Sequence, residues 1–374
     1  MLQTLIATPS VSSTNAALDM SNEAVIDRLA DWAEQAGFAI RKLAVPDQPG
    51  KFNLVATLGR GSGGLVLAGH TDTVPLDAAL WRHDPFRLTE ADGRYYGLGT
   101  ADMKSFLALA LEAAREIGPA TLRRPLILLA TADEETSMSG ARALTAADLG
   151  HARHAVIGEP TGLRPIRQHK GMMMEAIVYR GSSGHSSDPS LGNNALEGMY
   201  RLIGELLAFR DRLQATHRDE AFAIPVPTLN LGHIHGGDNP NRICGECELQ
   251  IDLRPLPGMA IDTLRRQLRE LARQVADEHG LTCHCRALFA GIDAMQTARS
   301  ATIVQACEQL TGHAADSVAF GTEGPMLNAL GIETVILGPG DIAQAHQPDE
   351  FLALDRIEPT LALLRRLIRR FCCT

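Results

Sequence analysis

The sequence predicts an α/β protein built in two parts, a larger sheet-and-helix domain interrupted by a smaller inserted one. Three observations lead there. The chain has 374 residues, more than the roughly 250–300 at which a single hydrophobic core stops growing. Residues 1–171 alternate strand and helix patterns, and the alternation resumes over 289–374, which implies a sheet with much parallel pairing. Residues 172–288 run strand, helix, strand, strand, helix, strand, the split βαβ order.

Each element has its own signal. Ile26, Leu29, Trp32 and Ala33 recur at amphipathic spacing and predict a helix over Glu23–Ala36. Strands are expected at Phe52–Thr57 and Leu65–Gly69. The second is almost continuously apolar, as for a strand covered on both faces. A helix follows over Met103–Ile117, then strands at Pro125–Ala132 and His154–Gly158. In the insert, a strand at Met172–Arg180 ends in the loop Gly181-Ser182-Ser183-Gly184, and a helix covers Asn194–Leu213. Strands at Thr228–Ile234 and Cys244–Leu253, a helix at Ile261–Glu278 and a strand at Leu281–Leu288 complete it. The first pattern then returns with helix Ser300–Leu310, strand Thr334–Leu337 and helix Pro359–Phe371.

Composition narrows the class of partner. With 45% hydrophobic and 21% charged residues the chain is globular. The net charge is −9, and basic residues gather only in short pairs such as Arg123-Arg124 and Arg365-Arg366. That argues against a nucleic-acid partner, which needs a basic stripe. No apolar run approaches the ~18–20 residues that span a bilayer, so no membrane partner is expected. The start Met1-Leu2-Gln3-Thr4-Leu5 lacks the basic and apolar regions of a signal peptide. Seven cysteines, an odd number, fit reduced thiols and a cytoplasmic protein.

The chemistry lies at the ends of strands. Leu65–Gly69 runs into His70, Ile127–Thr131 leads to Asp133-Glu134-Glu135, Ala155–Gly158 stops at Glu159, and Val335–Leu337 passes through Gly338-Pro339-Gly340 towards His346. Asp102 opens a helix after the turn Gly97-Leu98-Gly99-Thr100. In an open α/β sheet, ligands bind beyond the carboxyl ends of the strands, so these residues can share one crevice. A lone histidine there is more often structural, and an acidic pair is usually a solvated surface. Together, uncompensated carboxylates beside a sheet repel one another and lose hydration, and a divalent cation removes that conflict. Two histidines and three carboxylates from this set, with one carboxylate shared, suit two zinc ions about 3.5–4 Å apart. Asp72, two residues after His70, is placed to accept the imidazole N–H that faces away from a metal. If Glu135 binds a metal, Glu134 beside it is placed to take a proton from the metal-bound water.

Several segments resemble the metal motifs of the M20 metallopeptidase family: His70–Pro75, Gly97–Lys104, Asp133-Glu134-Glu135 and Ile157–Thr161. Within that family the chain is most similar to the acetylornithine deacetylases, through Gly184–Pro189, Leu229–Gly237, Asp252–Gly258 and Gln344–Glu350. The resemblance covers nearly the whole chain. It implies a zinc-exopeptidase-like catalytic domain (1–171 and 289–374) with an inserted ferredoxin-like lid (172–288) used for dimerisation, and a dizinc centre that also accepts cobalt. It implies that His70, Asp102 and Glu159 hold one ion and Asp102, Glu135 and His346 the other. Glu134 is then the general base and Asp72 orients His70. His185 reaches the partner subunit's site in a homodimer and stabilises the developing oxyanion. Asn241 and Arg254 match positions that bind the carboxylate of a small N-acyl amino acid. A guanidinium forks onto a carboxylate, although an arginine pairing with a surface acid is an equal reading of Arg254. The expected reaction converts N2-acetyl-L-ornithine to L-ornithine and acetate, in arginine biosynthesis.

Two departures stand out: Ser105 where the family usually has glycine, and the variant loop Phe320-Gly321-Thr322-Glu323-Gly324-Pro325. Three other signals are set aside. Gly59–Gly64 spells a dinucleotide fingerprint but leads into a strand instead of a helix. Cys244/Cys247 with Cys283/Cys285 fit a zinc knuckle poorly and sit in expected strands. His233 and His235 simply share a strand face. The alternatives within the family are deacylation of acetylcitrulline or succinyl-diaminopimelate. An alternative of another class is a catalytically inactive metal-binding protein, against which the intact set of Glu134 plus five ligands argues.

Overall fold

A computed structural model describes Met1–Cys373. The chain forms two compact units, one of Met1–Arg167, Gln296–Asp316 and Thr322–Thr374, the other of Gln168–Met295 with Ser317–Gly321. The short segment Ser317–Gly321 was expected with the first unit. It joins the second because the Ser317 hydroxyl donates to the Ala221 carbonyl and the Lys170 N–H to the Val318 carbonyl.

The first unit is organised by a mixed sheet in the order Ala39–Ala44, Phe52–Leu58, Leu126–Thr131, Leu65–His70, His154–Pro160, Glu333–Gly338. Its centre is parallel: Leu65 pairs with Leu126 and with His154, and Val335 pairs with Val156. Every residue of Leu65–His70 and Leu126–Thr131 is buried, which explains their unbroken apolar runs. Phe52–Leu58 and Ala39–Ala44 continue the sheet antiparallel.

The helix Lys104–Arg115 packs on the parallel strands and on the helix Ile357–Cys372. Its approach is so close that a Cβ on Gly158 would lie 1.9 Å from the Phe106 ring, so only glycine fits beside Glu159. Ser105 causes no strain in the first turn of this helix, because its hydroxyl donates to the Thr100 carbonyl at 2.5 Å.

Elements that were not expected include the short helix Leu2–Ile6, the edge strand Ala39–Ala44, and a small sheet of Thr89–Ala91, Arg94–Tyr96 and Phe351–Ala353. Within that small sheet, Asp92 and Gly93 both take positive φ (51° and 70°), as a two-residue hairpin turn requires. Gly59–Gly64 is a turn between strands, with no helix after it.

The second unit has a four-stranded antiparallel sheet in the order Thr228–Gly236, Glu246–Arg254, Met173–Arg180, Thr282–Ala287. The helices Ala195–Thr216 and Ile261–Glu278 pack against it. Met173, Ile177, Tyr179, Leu202, Leu249 and Leu268 belong to its core. This is the split βαβ order, and the alternating burial along Glu246–Arg254 shows one face covered by the helices. Cys247 is buried within the sheet and Cys244 lies just before it, its thiol donating to the Glu246 carbonyl. Cys283 and Cys285 share a face of the edge strand with sulfurs 3.6 Å apart. His233 and His235 are exposed on the opposite edge.

Where the chain enters and leaves the long segment Gln168–Met295, the two crossings are paired. The Thr297 N–H donates to the Arg167 carbonyl at 2.8 Å in the first unit, and Met172 bridges Ile292 in the second. Among the described residues no helix is long and apolar enough to cross a membrane.

Candidate metal centre

The parallel strands end on one edge, and their ends supply the site. His70 closes its strand opposite Thr131, two residues before Asp133. Glu159 is the penultimate residue of the neighbouring strand His154–Pro160. Asp102 and His346 arrive on loops, His346 with a positive φ of 59°.

The five expected ligands converge. His70 Nε2 is 3.0 Å from Asp102 Oδ1 and 3.9 Å from Glu159 Oε1. His346 Nε2 is 3.1 Å from both Glu135 oxygens and 3.7 Å from Asp102 Oδ2. The two oxygens of Asp102 therefore face different histidines, the arrangement of a carboxylate shared between two ions. Potential ligand atoms of His70, Asp102 and Glu135 lie within 4.8 Å of one another, and so do those of His70, Glu134 and Glu159. Glu134 thus stands inside the cluster, beside both histidine-bearing and acidic partners.

The donor set fits divalent cations. Burial, and then the neighbouring Glu159, push the Glu134 carboxyl well above its usual range. Burial and then Asp102 do the same to Glu159, whose Oε1 is buried with no hydrogen-bond partner. Burial is the largest single influence on Asp102 and opposes its ionised form too, but the hydrogen bond and charge of His70, the charge of His346 and a hydrogen bond from Glu159 together outweigh it, and the net shift is downward. Buried carboxylates that raise one another's pKa call for a counter-charge. The His70 Nδ1–H donates to the Asp72 carbonyl at 2.9 Å. A carbonyl only accepts, so Nδ1 keeps its proton, and Nε2, which meets Asp102 at 3.0 Å, is the nitrogen that would face an ion once it gives up its own proton.

Asp72 corrects the sequence expectation in one respect. Its backbone carbonyl, not its carboxylate, meets the imidazole; the nearer carboxylate oxygen is 3.7 Å from Nδ1. The carboxylate instead accepts the Glu134 N–H on Oδ1 (3.2 Å) and the Glu135 N–H on Oδ2 (3.1 Å). It holds the loop that carries both glutamates.

Several supporting groups carry no signal in the sequence. Asp133 takes a positive φ of 56°, a conformation uncommon outside glycine. Its carboxylate is gripped by Lys51 Nζ (2.7 Å) and by the hydroxyls of Ser12 (3.2 Å) and Ser139 (3.1 Å). Lys51 and Ser12 stand far away in sequence, so no local pattern points to them. Glu323, in the variant loop, is buried, and burial pushes its carboxyl up to about 7; its Oε1 has no partner. Glu350 is equally buried and accepts three backbone N–H groups.

The remaining expected residues lie in the second unit. His185 is exposed on its loop, and its Nδ1 accepts from the Ser187 N–H at 3.2 Å. The same loop bridges Arg242, and the Ser186 N–H donates to the Asn241 carbonyl, so Asn241 lies beside it. Arg254 is elsewhere on the sheet, half-buried, with Nε donating to Asp252 at 2.9 Å.

Comparison with known proteins agrees with this geometry. Residues 66–370 match the model of peptidase family M20/M25/M40. The chain is 50% identical over 372 residues to an acetylornithine deacetylase of Edwardsiella ictaluri, covering 100% of this chain and 97% of that one. Its fold matches a crystal structure of a tripeptidase from Staphylococcus aureus with a TM-score of 0.77 at 20% identity, over 99% and 96% of the two chains. It also matches a dinuclear metal-binding peptidase of Bacillus subtilis with a TM-score of 0.69 at 15% identity, over 99% and 96%.

Proposed function

The chain belongs to peptidase family M20/M25/M40, and from that premise we propose that it is a two-metal amidohydrolase that converts N2-acetyl-L-ornithine to L-ornithine and acetate. Full-length identity of 50% to an enzyme of that activity supports the substrate. The observation that carries the chemistry is Asp102, whose oxygens divide between His70 and His346 while Glu134 stands beside them. His70, Asp102 and Glu159 would hold one ion, and Asp102, Glu135 and His346 the other. Imidazole and carboxylate donors suit zinc, and cobalt accepts the same set. When bound, such a pair supplies Lewis acidity, which activates water and polarises a carbonyl.

The protein's own groups do the rest. Glu134 takes a proton from the attacking water as it adds to the acetyl carbonyl, then delivers it to the departing amine. Asp72 holds Glu134 and Glu135 in place through their N–H groups. His185 donates to the developing oxyanion from the partner subunit of a homodimer. Its tautomer supports that role: with Nδ1 accepting from the Ser187 N–H, the proton of the neutral ring sits on Nε2. Asn241 and Arg254 take the substrate carboxylate. The reaction belongs to arginine biosynthesis in the cytoplasm, where the free cysteines stay reduced.

The test is kcat/KM for a panel of N-acyl amino acids after reconstitution with zinc or cobalt. N2-acetyl-L-ornithine should lead. Faster turnover of acetylcitrulline or succinyl-diaminopimelate overturns the substrate assignment. For the dimer, inactive Glu134→Ala chains mixed with inactive His185→Ala chains should regain activity. Exchange of subunits without any regained activity refutes a role for His185 across the dimer.

A further inference from the structure

Glu350 lies four residues beyond His346 and is 1% exposed, yet the hydrolysis needs no acid there. Its surroundings explain the burial. The turn Gly97–Asp102 bends inward through positive φ at Gly97 (148°) and Gly99 (85°), and that bend aims several N–H groups at one point. Glu350 Oε2 accepts the Gly99 N–H at 3.0 Å, and Oε1 accepts those of Ala101 (2.7 Å) and Asp102 (2.9 Å). Its backbone carbonyl accepts the Gly97 N–H at 3.0 Å. Beyond it, Phe351 pairs with Tyr96, so the small sheet delivers Glu350 to this turn.

The turn carries Asp102 and the segment before Glu350 carries His346. Resting on the two-ion reading above, we infer that Glu350 is a positioning residue that fixes the spacing between the Asp102 turn and the His346 loop, and thereby the affinity of the ion held by Asp102, Glu135 and His346. The alternative is a plain structural role, satisfying buried N–H groups that otherwise lack acceptors. The two roles differ in what they move. A structural role lowers stability and spares the site. A positioning role selectively weakens one of two ions. The ion on His70 and Glu159 shares Asp102 but has its other two ligands on sheet strands that Glu350 does not touch, so it should be weakened far less. Groups that orient metal ligands typically change metal affinity by about 10–100-fold.

The experiment measures both zinc dissociation constants by chelator competition in the full chain, for wild type, Glu350→Ala and Glu350→Gln. In Glu350→Ala one ion, the same one that His346→Ala loses, should bind about 10–100-fold less tightly, with the other changed far less. The lost kcat should return at high zinc, with KM little altered. Glu350→Gln, which keeps one acceptor oxygen and the shape, should fold even if the alanine variant does not and should lie between. If both ions bind the glutamine and alanine variants as tightly as wild type and only the melting temperature falls, Glu350 is merely structural. A wild-type chain that binds a single zinc overturns the two-ion reading itself, and this inference with it.

Discussion

Replacing Asp72 by Asn tests how the base is held. The Asp72 carboxylate takes one N–H on each oxygen, from Glu134 at 3.2 Å and Glu135 at 3.1 Å. An amide has a single acceptor oxygen, so one bond is lost and an NH2 group faces a backbone N–H. A hydrogen bond to a charged group contributes about 1.5–3 kcal/mol, which corresponds to roughly 10–150-fold in rate or binding. The His70 Nδ1–H bond runs to the Asp72 backbone carbonyl and survives the change. The expected result is a 10–150-fold fall in kcat/KM and weaker binding of the ion on Glu135, with the ion on His70 kept. Steady-state kinetics with zinc titration by chelator competition reads both. Preferential loss of the ion on His70 would show that the carboxylate acts on the imidazole instead. Kinetics and affinities within threefold of wild type would refute the argument altogether.

Four further outcomes follow from the same structure. Glu134→Ala should keep both ions and lose about 10²–10⁴-fold in kcat; loss of metal, measured by elemental analysis, would make Glu134 a ligand. Chelation should abolish activity and lower the melting temperature, since a ligand at 1,000 times its Kd stabilises by about 4 kcal/mol, and added zinc or cobalt should restore both. Gly158→Ala drives a methyl to within 1.9 Å of the Phe106 ring, so it should cost about 1–3 kcal/mol or more in denaturant unfolding, partly recovered by adding Phe106→Ala. Burial lowers the pKa of His169 from 6.5 to about 4. The unfolded chain therefore binds the extra proton first, and stability falls as pH drops from 6.5 towards 4, by about 2 kcal/mol at pH 5; metal-free His169→Gln should lack that share of the slope.

What the sequence disclosed and what it hid have a common physical cause. The central strands were legible because burial on both faces leaves an apolar run, and a polar residue ending such a run, as His70 ends Leu65–Gly69, stands out. Ala39–Ala44 was hidden because an edge strand with mostly exposed side chains carries no such pattern. The Asp92-Gly93 hairpin was readable from its dipeptide, but its strands are only three residues long. Glu350 and Lys51 escaped for a different reason. Glu350 answers N–H groups some 250 positions away, and Lys51 a carboxylate 82 positions away. Asp72 shows the same limit at short range: proximity to His70 in sequence suggested a side-chain contact, and the backbone made it instead.

The paired crossings between the units bear on how the chain folds. Met172 bridges Ile292 within the second unit, and Arg167 pairs with Thr297 within the first. A first unit that had to close a flexible excursion of this length would lose roughly 3 kcal/mol more chain entropy than one closing a short turn. If the insert collapses early around its own helices, its ends already lie side by side. To the larger sheet it then acts as a tight connection, and pairing of Glu333–Gly338 with His154–Pro160 has a much shorter loop to close.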